Sequence, residues 1–97
     1  MAEEITLHEF EVGSVTVPPG GKVMYLCDCK LTSKRLLITD RKGDIYQVRL
    51  DEIVGVRVQG YLMKCVIVQL RDWGLNMDCK KQSPQVAAWI REAVTGA

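Results

Sequence analysis

The sequence predicts a domain of antiparallel β-strands that ends in one amphipathic helix. Apolar residues recur at every second position in short segments as far as residue 80, and turn residues separate those segments. Near Ser83 the apolar period changes to that of a helix. The chain has 97 residues, the size of a single domain, so we expect one core over residues 1–97.

Four strands are predicted in the first half of the chain. In order, there is a strand over residues 3–17, the Pro18–Gly21 turn, strands over 22–31 and 33–39, a hairpin loop at Asp40–Asp44, and a strand over 46–50. Gly13 is expected to bend the first strand. One face of the second strand is predicted to carry Val23, Tyr25, Cys27, Cys29 and Leu31.

Three further strands and the helix are predicted after a corner at Asp51-Glu52. The strands cover residues 53–59, 62–70 and 75–79, with turns at Gly60 and at 71–74. Ser83 is predicted as the N-cap and Pro84 as the first helical residue. The apolar stripe that follows consists of Val86, Trp89, Ile90, Ala93 and Val94. We therefore expect a helix over about 84–95 that covers a sheet face or an open barrel end.

Residues 31–58, LTSKRLLITDRKGDIYQVRLDEIVGVRV, resemble the signature region of the PH-like superfold and are closest to the GRAM and bacterial PH families. The two motifs that carry the resemblance are Leu31–Leu36 and Leu50–Val56. The resemblance implies a seven-stranded, strongly bent antiparallel barrel capped at one end by the C-terminal helix. It also implies non-catalytic binding of anionic lipids or of proteins, including self-assembly. One departure is the first hairpin loop, where lipid-binding PH domains carry several bases and this chain has only Lys22.

Charge is divided between neighbouring segments, although the net charge is only +1. Residues 1–21 sum to −4 and residues 22–42 to +4. The second segment contains a basic cluster, defined as Lys30, Lys34, Arg35, Arg41 and Lys42. It is a site for anions such as lipid headgroups, a docking site for an acidic partner, or a solvated turn whose charges protect a sheet edge. Few aromatic residues are interleaved with these bases, which disfavours nucleic acid as the ligand.

Two predicted turns carry large apolar side chains where polar residues are usual. One contains Tyr61, Leu62 and Met63, and the other contains Trp73. These residues are the candidate interface for a protein partner or for a second copy of the chain. The alternative for Trp73 is a place over the barrel rim as part of the core.

The sequence contains no pattern typical of an enzyme. The only histidine, His8, is expected at the barrel rim, and no phosphate loop, nucleophile elbow or metalloprotease motif is present. We therefore expect no catalytic residues and no cofactor.

The chain has four cysteines, Cys27, Cys29, Cys65 and Cys79. They are expected to be reduced and buried as small apolar residues, with a zinc site or a disulfide as alternatives.

The acidic N-terminus does not resemble a signal peptide, so the expected location is the cytoplasm, peripheral to a membrane if lipid is bound. The leading hypothesis for the function is a module that binds a protein or itself. The alternative is peripheral binding of anionic lipid through the basic cluster.

Overall fold

Seven antiparallel strands form one sheet and a helix follows them, in a computed structural model that describes residues 3–18 and 20–96. Pro19 of the predicted first turn lies outside the described residues. The strands, numbered β1 to β7 in chain order, are Thr6–Val17, Lys22–Thr32, Arg35–Thr39, Ile45–Arg49, Ile53–Gln59, Cys65–Leu70 and Gly74–Met77. The helix, α1, spans Ser83–Gly96. Short 3₁₀ turns lie at Leu50–Glu52 and Lys80–Gln82.

The strands are hydrogen-bonded in the order β4-β3-β2-β1-β7-β6-β5. The two outer strands, β4 and β5, follow each other in the chain but do not pair, so the sheet curls round a core without closing. α1 packs mainly against β5 and β6. This architecture confirms the predicted fold class, a bent antiparallel sheet capped by a C-terminal helix. Among the described residues, no helix is both long enough and apolar enough to cross a bilayer.

The predicted inner face of β2 is right in its second half and wrong in its first. Cys27, Cys29 and Leu31 are buried. Tyr25 and Val23, however, are 61% and 39% exposed, while Met24 is buried. Tyr25 and Leu26 are both exposed, so the alternation shifts by one residue between positions 24 and 27. The backbone of Leu26 has a φ of 50°, in the left-handed region, and this conformation breaks the regular pleat.

The same shift occurs on β1, at the residue opposite Leu26. Val12 pairs with Cys27 and Ser14 pairs with Tyr25, which places Gly13 across from Leu26. Buried positions on β1 change phase across this point: Phe10, Val12, Val15 and Val17. After the bend, β1 pairs with β7 as well as with β2. The second part of β1 therefore connects the half of the sheet formed by β2 to β4 with the half formed by β5 to β7. The predicted bend at Gly13 is confirmed.

The C-terminal helix buries the predicted apolar stripe. Val86 and Ile90 are fully buried, Ala93 is buried, and Trp89 and Val94 are half-buried against the core. The indole ring of Trp89 stacks on the imidazole ring of His8, with their centroids 4.2 Å apart. The stripe therefore covers the sheet, as its spacing predicts.

The prediction of Ser83 as the N-cap is wrong. Its φ of −53° and ψ of −48° are helical, because the 3₁₀ turn at Lys80–Gln82 runs directly into α1. The Ser83 hydroxyl is buried and has no hydrogen-bond partner among the described residues. The helix therefore begins without a side-chain cap from this residue.

The outer edge of β5 is partly covered by a side chain from α1. Arg91 donates hydrogen bonds from Nε and Nη2 to the backbone carbonyl of Val56, at 3.1 and 2.9 Å. β5 pairs only with β6, so the other side of the strand is an edge. The guanidinium group satisfies one carbonyl at that edge.

Candidate functional site

The structure divides the basic cluster between the two ends of β3. Lys34 and Arg35 lie at its start, and Arg41 and Lys42 lie in the turn after its end. The five residues of β3 span roughly 17 Å at 3.3–3.4 Å per residue. Lys30 lies on β2, with its Nζ 4.0 Å from the Glu9 carboxylate on β1. The cluster is thus brought together by the sequence but not by the fold, and its bases do not form a single anion site.

Arg35 and Thr32, the polar residues of the first signature motif, hold the β2–β3 turn together. The Thr32 hydroxyl accepts hydrogen bonds from the backbone N–H groups of Lys34 and Arg35, at 3.1 and 3.0 Å. It also donates to the Glu4 carboxylate at 2.6 Å. The Arg35 guanidinium donates to both oxygens of Glu4, at 2.8 and 3.1 Å, and to Gln47 Oε1 at 2.7 Å. Through these contacts Arg35 joins the β2–β3 turn to Glu4 and to β4.

Glu4 gives this network a dependence on pH. Hydrogen bonds from Arg35 and then from Thr32 hold the pKa of its carboxyl below the ordinary value of 4.5. A carboxyl whose pKa is lowered by folding stabilises the protein above its unfolded pKa and loses that contribution as pH falls through the folded pKa.

We expect Glu4→Gln to lower the free energy of unfolding at neutral pH. The difference from the wild type should shrink as pH falls below 4.5, because Glu4 itself becomes protonated. Urea unfolding of both proteins between neutral and acid pH measures this. Glu3→Gln is the matched control, since Glu3 makes no ion pair among the described residues. A Glu4→Gln deficit that is the same at every pH would contradict the assignment.

A shallow groove of about 850 Å³ lies beside this network, next to the first 3₁₀ turn. The sequence predicts a corner at Asp51-Glu52, and the structure has a 3₁₀ turn there. This turn brings both carboxylates to the Nε atom of Arg49, at 3.1 and 3.5 Å. One guanidinium group is therefore shared by two carboxylates, and the three side chains together keep a charge of −1.

The four apolar interface candidates lie in two separate places. Tyr61, Leu62 and Met63 form the tip of the β5–β6 hairpin, and we call them the hairpin tip; they are 91%, 90% and 75% exposed. Trp73 lies beyond the other end of β6 and is 50% exposed. It lines a cleft with the first 3₁₀ turn, so it is neither core nor part of the same surface as the hairpin tip.

One exposed apolar surface was not predicted from the sequence. Val23, Tyr25 and Leu26 lie together on the outside of the bend in β2, and we call them the β2 patch. Simple alternation placed two of them on the inner face. The available signal was the run of five consecutive apolar residues from Val23 to Cys27, which a single alternating strand cannot bury on one face.

Three cysteines are part of the core. Cys27, Cys29 and Cys79 are buried, and burial raises the pKa of all three thiols, that of Cys79 to about 12. All four cysteines are free, and the described part of the chain holds no group of three or more His, Cys, Asp or Glu side chains arranged to bind a metal. Buried thiols with raised pKa values are poor nucleophiles, so these cysteines act as small apolar residues.

No family model and no curated protein matches the sequence. Solved structures that share the fold include the following two. The crystal structure of the C-terminal domain of an unknown protein from Leishmania infantum has a TM-score of 0.76 and 12% identity, with 95% of this chain and 85% of that one covered. The Vps36 N-terminal PH domain has a TM-score of 0.75 and 18% identity, with 95% and 80% covered. Together with the strand order and the capping helix, these likenesses show that the chain has the PH-like fold.

Proposed function

We propose that this chain is a non-catalytic interaction module that binds a protein through the β2 patch. The observation that carries the proposal is the left-handed backbone of Leu26, a large apolar residue that is 58% exposed. A non-glycine residue in this conformation costs of order 1–2 kcal/mol, and an exposed leucine recovers little of that by burial. Strain of this kind is typical of functional positions.

The surroundings of the β2 patch suit a protein surface. Its cross-strand neighbours on β1 are Ser14 and Thr16, which are small and uncharged. An exposed tyrosine between aliphatic residues is a common anchor in protein interfaces. The adjoining loop, Asp40–Asp44, contains two acids and two bases, so it adds no net charge that would attract an anionic membrane.

The backbone of β2 is also accessible beside the patch. β3 pairs with β2 only from Asp28 to Leu31. The backbone N–H of Arg41 donates a hydrogen bond to the carbonyl of Tyr25, with an N···O distance of 3.3 Å. In the described residues, positions 22–24 of β2 have no strand on that side. An extended segment of a partner could therefore pair with this edge while its side chains contact the patch.

The basic cluster gives less support to the lipid-binding alternative, because it is divided and partly ion-paired.

Within the PH-like fold, the assignment to the GRAM or bacterial PH families rests on the two sequence motifs. Thr32 and Arg35 of the first motif stabilise a turn, so that motif supports a fold and not a ligand.

Photo-crosslinking tests the proposal. A benzophenone amino acid in place of Tyr25 should form a covalent adduct with a protein in living cells, either a partner or a second copy of the chain. The same amino acid at Gln85, which is exposed on α1, is the control. Adding Leu26→Asn should remove the adduct without unfolding the domain, since asparagine tolerates the left-handed region. Equal labelling at positions 25 and 85, or adducts insensitive to Leu26→Asn, would contradict the proposal.

A further inference from the structure

The hairpin tip is the most exposed apolar feature of the described chain. Its turn starts at Gly60, whose φ is +99°, and a Cβ atom built there would lie 2.3 Å from the carbonyl oxygen of Met63. The turn is therefore too tight for any residue with a side chain, and the three residues that follow project into solvent. Hairpin turns are usually polar, so three large apolar side chains in succession are unexpected.

Three lysines converge at the base of the hairpin tip. The backbone N–H of Lys80 donates to the carbonyl of Lys64 at 3.1 Å, which joins the hairpin to the connection before α1. Lys81 follows, and all three line one cleft together with Leu62 and Met63. No ion pair in residues 3–18 and 20–96 involves any of these lysines.

Two acids line the same cleft, so the positive charge there is partly offset. They are Glu11 on β1 and Asp78 after β7. The lining therefore contains three bases and two acids and stays positive. The positive charge is modest, and apolar contact must supply much of any affinity at this surface.

We propose that the hairpin tip inserts into the surface of an anionic lipid bilayer, with Lys64, Lys80 and Lys81 at the headgroups. An apolar protrusion with a basic collar matches the two layers of that surface, where apolar side chains enter the acyl boundary and lysines contact the phosphates. This site is separate from the β2 patch and from the basic cluster. It combines the two contributions that peripheral attachment requires, an apolar anchor and a cationic surface.

Vesicle sedimentation tests the proposal. The wild type should bind phosphatidylcholine vesicles that contain roughly 30% phosphatidylserine, and binding should weaken as salt rises. The triple variant Lys64→Gln, Lys80→Asn, Lys81→Gln should lower the partition coefficient about 100-fold, since each lysine near the surface contributes about fivefold. The double variant Leu62→Ser, Met63→Ser should lower it at least about 10-fold at any salt concentration. Asparagine is used at position 80 because that residue has a φ of 50°.

A charge-matched control comes from the basic cluster. This control is the triple variant Lys34→Gln, Arg41→Gln, Lys42→Gln, which removes three positive charges from exposed positions away from the hairpin tip. It should change the partition coefficient by less than about threefold. Absence of wild-type binding at low salt would overturn the proposal, and so would a loss in the control equal to that in the lysine variant. A change of oligomeric mass caused by Leu62→Ser, Met63→Ser without lipid would also overturn it, because the hairpin tip would then be a protein contact.

Discussion

Replacing Ile90 by alanine should reduce the free energy of unfolding by about 2–5 kcal/mol. Ile90 is fully buried on the face of α1 that packs against the sheet. Its loss leaves a cavity between two layers that cannot easily collapse, because both are held by their own backbone hydrogen bonds. Alanine is the better helix former, so the effect cannot arise from helix propensity. For a domain of this size the melting temperature should fall by roughly 10–30 °C.

Chemical unfolding followed by circular dichroism measures this effect. Glu92→Ala is the control, because Glu92 lies two residues after Ile90 on the exposed side of α1. It should change the free energy of unfolding by less than about 0.5 kcal/mol. A loss below about 1 kcal/mol for Ile90→Ala would mean that the helix does not cap the sheet in solution.

Gly60→Ala should destabilise the domain by about 2–4 kcal/mol. The φ of +99° is unfavourable for alanine, and the new methyl group would collide with the backbone of Met63, which is not a flexible side chain. The β5–β6 turn must therefore open, and strand pairing next to it should weaken.

Gly43→Ala separates the two causes. Gly43 has a φ of +93°, but a Cβ atom there would meet nothing within 4 Å. Gly43→Ala should therefore lower the free energy of unfolding only by the cost of backbone strain. The decrease for Gly60→Ala should be larger by at least about 1 kcal/mol, as measured by thermal or urea unfolding. Equal losses for the two variants would show that the turn relaxes without cost and is not as tight as described.

The strands and the helix could be predicted from the sequence because their periods are local properties. Alternation through β3 to β7 and the stripe ending in Val94 identify the elements within a few residues. The bend in β2 could not be predicted in this way. It depends on a leucine in a conformation that sequence patterns assign to glycine, and it reverses the faces of Val23 and Tyr25.

The candidate sites were harder to predict because they depend on distances that sequence separation does not report. Bases within thirteen residues of one another, from Lys30 to Lys42, are divided by the length of a strand. Lys64 and Lys80 are far apart in the chain, yet a backbone hydrogen bond joins them. Only the antiparallel return of β7 along β6 brings the second lysine to the hairpin.

The two hydrogen bonds from Arg91 to the carbonyl of Val56 link the last turns of the chain to an open β edge. A chain cut short before this arginine would keep most of its strands but expose that carbonyl to the strands of other molecules. Exposed edges of this kind nucleate intermolecular sheets. The C-terminal helix therefore both caps the core and, through Arg91, keeps one backbone acceptor of the β5 edge from pairing with another chain.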